Sequence, residues 1–214
     1  MMTTPNDGRQ YAPATQRNRE PILGVLQWVL PENGTVLEVA SGSGEHAVFF
    51  APRLSPRKWL PSDPDSVSRE SILVWQEHSP SENLYPPLDL DVRSPIWPLE
   101  IKNQPENKYL ADITAIVSIN MIHIAPWSAC LGLMAGASRI LPFGGILYLY
   151  GPFKQGGKHT AESNVAFDEM LQSQNSEWGV RNLDDVIEAA KAKDLKWLET
   201  IKMPANNLSV VFQR

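Results

Sequence analysis

The stretch TVLEVASGSGEHAVFFAPRL, residues 35–54, limits the fold of this chain more than any other. TVLEVA is apolar at nearly every position, the pattern of a buried strand. GEHAVFFAPRL has the apolar spacing of a helix. SGSG between them gives the φ freedom for a tight turn that brings backbone close to a ligand at the carboxyl end of a sheet. One residue resists this reading: Glu38 is an acid inside the apolar strand.

The same alternation continues along the chain. RKWLPSD (57–63) is a second strand, followed by the helix DSVSRESILVWQEHS (65–79). PPLDLDV (86–92) holds a short third strand, and the proline-broken run from 93 to 111 is irregular. ADITAIVSIN (111–120) is a fourth strand, WSACLGLMAGASRIL (127–141) a helix and GGILYLYGPF (144–153) a fifth strand. Two helices, TAESNVAFDEMLQSQ (160–174) and NLDDVIEAAKAKD (182–194), precede the strands LKWLETIKM (195–203) and NLSVVFQR (207–214). Strands separated by helices imply right-handed crossovers and a largely parallel sheet covered on both faces. The last two strands have only a tight PANN connection, so they pair as a hairpin and one of them is antiparallel. At the other end, TQRNREPILGVLQWVL (15–30) reads as a helix that Pro21 kinks or restarts. The expectation is a flexible segment over 1–14 and a single domain over 15–214.

Composition narrows the partners. The chain has 214 residues and a net charge of −5, which disfavours bulk nucleic-acid binding. A small neutral or cationic ligand, or a protein substrate, fits better. The lone Cys130 excludes an internal disulfide and reads as a small buried hydrophobe rather than a nucleophile. With no apolar leader and no membrane-length run, the expected setting is cytoplasmic, away from membranes. The four histidines and one cysteine lack metal-ligand spacing, so no metal is expected.

The glycine loop alone leaves rivals open. Gly42, Gly44 and Ala47 satisfy the dinucleotide pattern, and Asp63 stands near the place of a ribose-binding acid. A nicotinamide or flavin enzyme therefore competes. A phosphate-binding loop of the Gly-Lys-Ser/Thr type is excluded. Glu38 argues against a pyrophosphate, which it would repel, and for a cationic ligand. Acids recur at successive strand ends as Glu38, Asp63 and Asp91, and the terminal hairpin departs from the ordinary dinucleotide fold.

At these residues the chain resembles class I S-adenosylmethionine-dependent methyltransferases. Their first motif, E/D-x-G-x-G-x-G, reads here Glu38-Val39-Ala40-Ser41-Gly42-Ser43-Gly44, with Ala40 in place of the first glycine. The phrases PATQRNREPIL, INMIHIAPW, LYLYGPF, SNVAFDEML, WGVRNLDDV and MPANNLSVVF further resemble the methyltransferase-like 26 group. The resemblance implies an α/β, Rossmann-like fold: a seven-stranded, mostly parallel sheet with an antiparallel last strand and helices on both faces. It implies S-adenosyl-L-methionine as cofactor, bound by Glu38, Ala40, Gly42, Gly44, Asp63 and Asp91. It also places Asn120 at a strand end that contacts cofactor or acceptor.

Methyl transfer needs orientation and a dry site more than a fixed catalytic set. His123, three residues beyond Asn120, is a candidate base, with a hydrogen-bonded structural histidine as the competing reading. Asn120 is the best polar candidate, with a strand-end cap as the competing reading. Tyr150 and Phe153 are candidates for the acceptor pocket, whereas Tyr148 fits core packing equally well. Arg17 and Asn18 are candidates to close over the cofactor, the guanidinium as a fork on its carboxylate, against the reading of a solvated helix face. Tyr11 is a candidate lid. Asn206 and Asn207 read as acceptor contacts or turn formers, and Ser163, Asn164 and Asp168 as helix caps or pocket lining. His46 reads as structural. The acceptor is expected to be a small molecule, or else a protein. The alternatives are a non-catalytic S-adenosylmethionine-binding module and a nicotinamide-dependent oxidoreductase.

Overall fold

The computed structural model of the chain describes residues 7–214. Helix α1, Pro13–Val29, opens with proline at its first position, where the missing N–H is no loss. Pro21 lies inside α1 without ending it. Strand β1 (Thr35–Val39) leads into α2 (Glu45–Arg53), and β2 (Lys58–Ser62) into α3 (Ser66–His78). Asp65 caps α3 by accepting from the amides of Val67 and Ser68. β3 (Ile113–Ile119), α4 (Trp127–Ile140) and β4 (Ile146–Gly151) follow. Then come β5 (Phe153–Gln155), β6 (Lys158–His159), α5 (Glu162–Gln174), β7 (Arg181–Asn182) and α6 (Leu183–Lys191). β8 (Lys196–Met203) and β9 (Asn207–Gln213) close the chain.

The main sheet has the order β2-β1-β3-β4-β9-β8. β1, β2, β3 and β4 are parallel, and β9 runs against both β4 and β8. The hairpin ending read from the sequence is therefore present. The sheet has six strands rather than the expected seven. The third strand, sought in 86–92, survives only as single bridges of Leu84 to Trp59 and Leu88 to Ser62. Pro61 in β2 and the Pro86-Pro87 pair lack the donors that a continuous ladder needs. The fifth expected strand also divides at Pro152, and β5 joins β6 and β7 in a small second sheet that the sequence pattern did not reveal.

Alternation along the strands builds a core on each face. Leu37, Val39 and Leu60 pack with α4 and α6 residues, including Leu133 and Val186. Val36, Trp59 and Val117 pack with Ile22 of α1 and Phe50 of α2. In the irregular region, Trp97 is fully buried against α4. A Cβ at Gly136 would stand 1.9 Å from its ring, and one at Gly132 would stand 2.3 Å from the Val92 carbonyl. Two glycines four residues apart in α4 thus make room for the 92–97 segment.

The flexible segment expected over 1–14 falls partly outside the described residues. Within them, α1 already begins at Pro13. The Ala12 amide donates to Glu45, the Gln10 amide to Ser71, and the Trp75 indole to the Gln10 carbonyl. Residues 10–12 therefore lie across α2 and α3. Tyr11, the candidate lid, packs edge-on to Trp75 at 5.2 Å.

Candidate functional site

β1, β2, β3 and β4 are parallel, so their carboxyl ends share one edge of the sheet, and the loop of residues 40–44 leaves β1 at that edge. Ala40 has φ 55°, Gly42 φ 54° and Gly44 φ 90°. At Gly44 a side chain is excluded, because a Cβ would meet Ile72 Cα at 2.9 Å. At Gly42 a Cβ would meet open space, so its glycine serves the backbone turn and leaves the loop bare. Asp63 fixes the loop: Oδ2 accepts from the Gly42 amide and Oδ1 from the Asp65 amide, both at 2.9 Å. Burial pushes its carboxyl above the usual range, and those two amides partly offset the push.

Glu38 lies elsewhere than expected. Strand alternation turns it to the face shared by Val36, α1 and α2, where it is 1% exposed. Its Oε2 accepts from the Trp59 indole at 2.9 Å, and its backbone carbonyl accepts from the hydroxyls of Ser41 and Ser62. Burial pushes the carboxyl up to about 7, with the Trp59 and Ser41 hydrogen bonds working against the rise. The group lines neither cavity described below. It forms the footing of the loop rather than its ligand-facing surface, which corrects the expected direct contact with a cationic ligand.

Two cavities open above the loop. The smaller, about 270 Å³, is walled by Val39, Ala40, Leu90, Val92, Met121 and Trp178, with Asp91 and Arg93 as its charged pair. Arg93 forks onto Asp91, with Nη2 2.7 Å from Oδ2, and holds its carboxyl below the usual range. The larger, about 810 Å³, is lined by Arg17 and Asn18 of α1 and by Asn120, His123 and Tyr150 at the strand ends. It also takes in Ser163, Asn164 and Phe167 of α5, residues 204–206 between β8 and β9, and Asn207 at the start of β9. Ile124 lines both cavities, so they lie side by side as the two lobes of the site.

Buried neutral groups dominate the large lobe. Asn120 has φ 59° and donates its amide to the Tyr150 carbonyl at 2.8 Å, a left-handed turn that Asn tolerates. His123 is 3% exposed and stands edge-on to Phe167 at 5.6 Å. Its Nδ1 has no partner among the described residues. Burial, reinforced by the Arg181 charge, pushes its imidazole down to about 4. Gly151 leaves it room, since a Cβ there would reach the ring at 3.1 Å. Burial pushes the Tyr150 phenol up, against the pull of neighbouring Asn207 and Asn18. Asn18 is itself held by His46, Nε2 to Oδ1 at 2.9 Å.

Several candidates fall away from the groove. Phe153 is fully buried in the core beside α4 and lines no part of the groove. Tyr148 is a core residue bonded to Ser209 at 2.7 Å. The Cys130 thiol is buried and pushed up to about 12, which removes it as a nucleophile at neutral pH. Ser163, Asn164 and Asp168 do not cap α5, whose N-cap Ala161 has no side-chain cap bond. Asp168 instead anchors the small sheet: its Oδ2 pairs with Lys154 at 2.7 Å and His159 at 3.1 Å, and its Oδ1 accepts from the Val180 amide at 2.7 Å.

Sequence reasoning missed Met121, Ile124, Phe167 and Trp178 as groove walls, and Arg181 behind them. Arg181 donates to the carbonyls of Ile122, Ala125 and Glu177, and the Gly179 amide donates to the His123 carbonyl. These bonds pin the His123 loop to the 175–182 segment. The one available signal was WGVRN, a polar-aromatic run between two helices. Among the described residues no three His, Cys, Asp or Glu side chains cluster as a metal site. No described helix is long and apolar enough to cross a membrane.

Comparison with solved structures gives the fold the Rossmann-like architecture of S-adenosylmethionine-dependent methyltransferases. An O-methyltransferase family protein from Burkholderia thailandensis aligns with a TM-score of 0.73 at 12% identity, over 94% of this chain and 57% of its own. Human N-acetylserotonin methyltransferase in complex with S-adenosylmethionine aligns at 0.72 and 12% identity, over 94% and 52%. An O-methyltransferase family 2 protein from Planctomyces limnophilus in complex with apigenin aligns at 0.69 and 17%, over 94% and 60%. The chain thus spans little more than half the length of these proteins. Residues 9–214 match the family model described as "Protein of unknown function (DUF938)".

Proposed function

The chain belongs to the DUF938 family, and for it we propose S-adenosylmethionine-dependent methyl transfer to a small molecule. The observation that carries this reading is the two-lobed groove, with a nearly apolar lobe beside the glycine loop and a polar lobe holding a buried, uncharged His123. The groove fits the cofactor chemically. Leu90, Val92, Met121 and Trp178 offer apolar surface for an adenine, with Asp91 beside it for the adenine amino group. Ala40 brings the loop backbone to the remainder of the molecule, with Gly42 and Gly44 behind it, and Asp63 keeps that loop in shape and is the acid assigned to the ribose hydroxyls. Asn120, Asn18 and Arg17 meet the amino-acid end, Arg17 as the fork for its carboxylate. Glu38 acts from beneath, through the loop.

When bound, the cofactor supplies an electrophilic methyl group on a sulfonium. The chain contributes orientation, exclusion of water and a proton acceptor. His123 is neutral at physiological pH because its pKa is pushed to about 4; its lone pair is available to accept a hydrogen bond from an acceptor hydroxyl, while so low a pKa makes it a weak base. Tyr150 and Phe167 wall the acceptor beside it. The six phrases quoted above also support placement in the methyltransferase-like 26 group, as a narrower reading.

The test is incubation with methyl-labelled S-adenosylmethionine and the small-molecule fraction of a cell extract. The expected result is a labelled small product that disappears with His123→Asn. Cofactor binding without any labelled product would instead support a non-catalytic binding module.

A further inference from the structure

A third cavity, next to the large lobe, carries an inference about the acceptor, resting on the methyl-transfer reading above. It measures about 400 Å³. Asn206 and Asn207 line both this cavity and the large lobe, so the two lie side by side across that pair. On its outer side the walls are Gln155 of β5, Thr160, and Lys202 and Met203 of β8. Lys202 is its one formal charge. That lysine is exposed and makes no ion pair among the described residues. Lys158 stands opposite Gln155 in the β5–β6 pair and adds a second cation beside the wall.

The sign of this charge is local. The chain as a whole carries −5, yet no carboxylate lines either cavity among the described residues. Glu162 and Glu199, close in sequence to Thr160 and Lys202, are absent from both linings. Asp168 also lines neither, and it is held by Lys154 and His159. Arg17, the one formal charge of the large lobe, is taken by the cofactor carboxylate in the reading above. Lys202 is then the charge left for the acceptor. An ammonium group there meets like charge and no counter-ion, whereas an anion meets its partner.

We propose that the third cavity is an anion subsite for the acceptor. The acceptor is an elongated small molecule with a hydroxyl beside His123 and a carboxylate or phosphate beside Lys202. Its body crosses between them along Tyr150, Phe167 and Pro204.

The experiment uses the full chain, first titrated to saturation with S-adenosylhomocysteine by calorimetry; failure at that step counts against the methyl-transfer reading alone. The probes are para-hydroxybenzoate, para-hydroxyphenylpropanoate and para-hydroxyphenylpentanoate, each beside its methyl ester, with tyramine as the cationic control. At least one acid is expected to bind about threefold more tightly than its ester at low salt, the gain of one exposed ion pair. That ratio should shrink as salt rises. Tyramine is expected to bind more weakly than para-hydroxyphenylpropanoate. Lys202→Met is expected to bring the ratio close to one, with S-adenosylhomocysteine affinity unchanged. Lys202→Glu is expected to invert the ratio, and the exposed position makes both variants compatible with folding. Acids that bind no better than their esters, a ratio unchanged in Lys202→Met, tighter binding of tyramine, or no saturable binding of any acid by the loaded protein would overturn the proposal.

Discussion

The two lobes of the groove are built in different ways. The small lobe is shaped mostly by segments that follow strands in chain order, at 39–40, 64, 90–93 and 121–129. Backbone does much of its shaping: the left-handed residues of the loop, and amides gathered by Asp63. The large lobe draws on α1, two strand ends, α5 and the last hairpin, from residue 14 to residue 207. Side-chain amides, the Lys154–Asp168 ion pair and the His159 contact with Asp168 hold it together. A site made from one motif keeps its shape through local dihedrals. A site made from distant segments depends on the tertiary bonds between them, so the two lobes should fail independently.

Asp168→Ala breaks this independence most sharply if the account is wrong. Removing a buried acid leaves Lys154 and the Val180 amide uncompensated. A loss of about 3–5 kcal/mol in unfolding free energy is expected by denaturant titration. S-adenosylhomocysteine affinity should survive wherever the protein remains folded.

Glu38→Gln probes the footing of the small lobe. The folded carboxyl titrates near 7 and the unfolded one near 4.5. The native state therefore holds the proton more tightly, and stability is lost as pH rises from 4.5 through 7. The expected loss is on the order of 3 kcal/mol between pH 4 and pH 8. The glutamine variant should flatten that slope while binding S-adenosylhomocysteine nearly as well. A large loss of affinity would restore the direct contact read from the sequence.

Smaller effects separate the lobes further. His123→Asn is expected to lower turnover by about a hundredfold with cofactor affinity unchanged, which a kcat and KM comparison reads. Ala40→Gly removes a left-handed alanine, and the gain is offset by the greater chain freedom of glycine when unfolded. Thermal unfolding should show a change within about 1 kcal/mol.

Much of the frame was readable from residue pattern. Strand-helix alternation, the glycine loop after β1 and the terminal hairpin all follow from local periodicity and turn chemistry. The third strand was misread because PPLDLDV has the right apolar content but its prolines deny the ladder its donors. Which face Glu38 takes followed from alternation in principle, yet the glycine loop next to it suggested a ligand contact. Asp91 was read as the end of a strand that does not form, yet it lines the small lobe. In the large lobe, Asn206 and Asn207 read equally as acceptor contacts or turn formers, while Phe167 there and Trp178 in the small lobe gave no sign. Their roles depend on how α5 and the small sheet fold back over β3 and β4, a long-range arrangement that no local pattern encodes.

The central claim is that the small lobe, the glycine loop and the Arg17–Asn18–Asn120 side of the large lobe bind the cofactor, while the α5 and 204–207 side of the large lobe takes the acceptor. Calorimetric titration of S-adenosylhomocysteine into the wild-type chain, Asp91→Ala and Asn206→Gly tests it most directly. The account expects saturable binding, about tenfold weakened by Asp91→Ala and unchanged by Asn206→Gly. Absence of saturable binding to the wild-type chain, or equal loss in both variants, would contradict it.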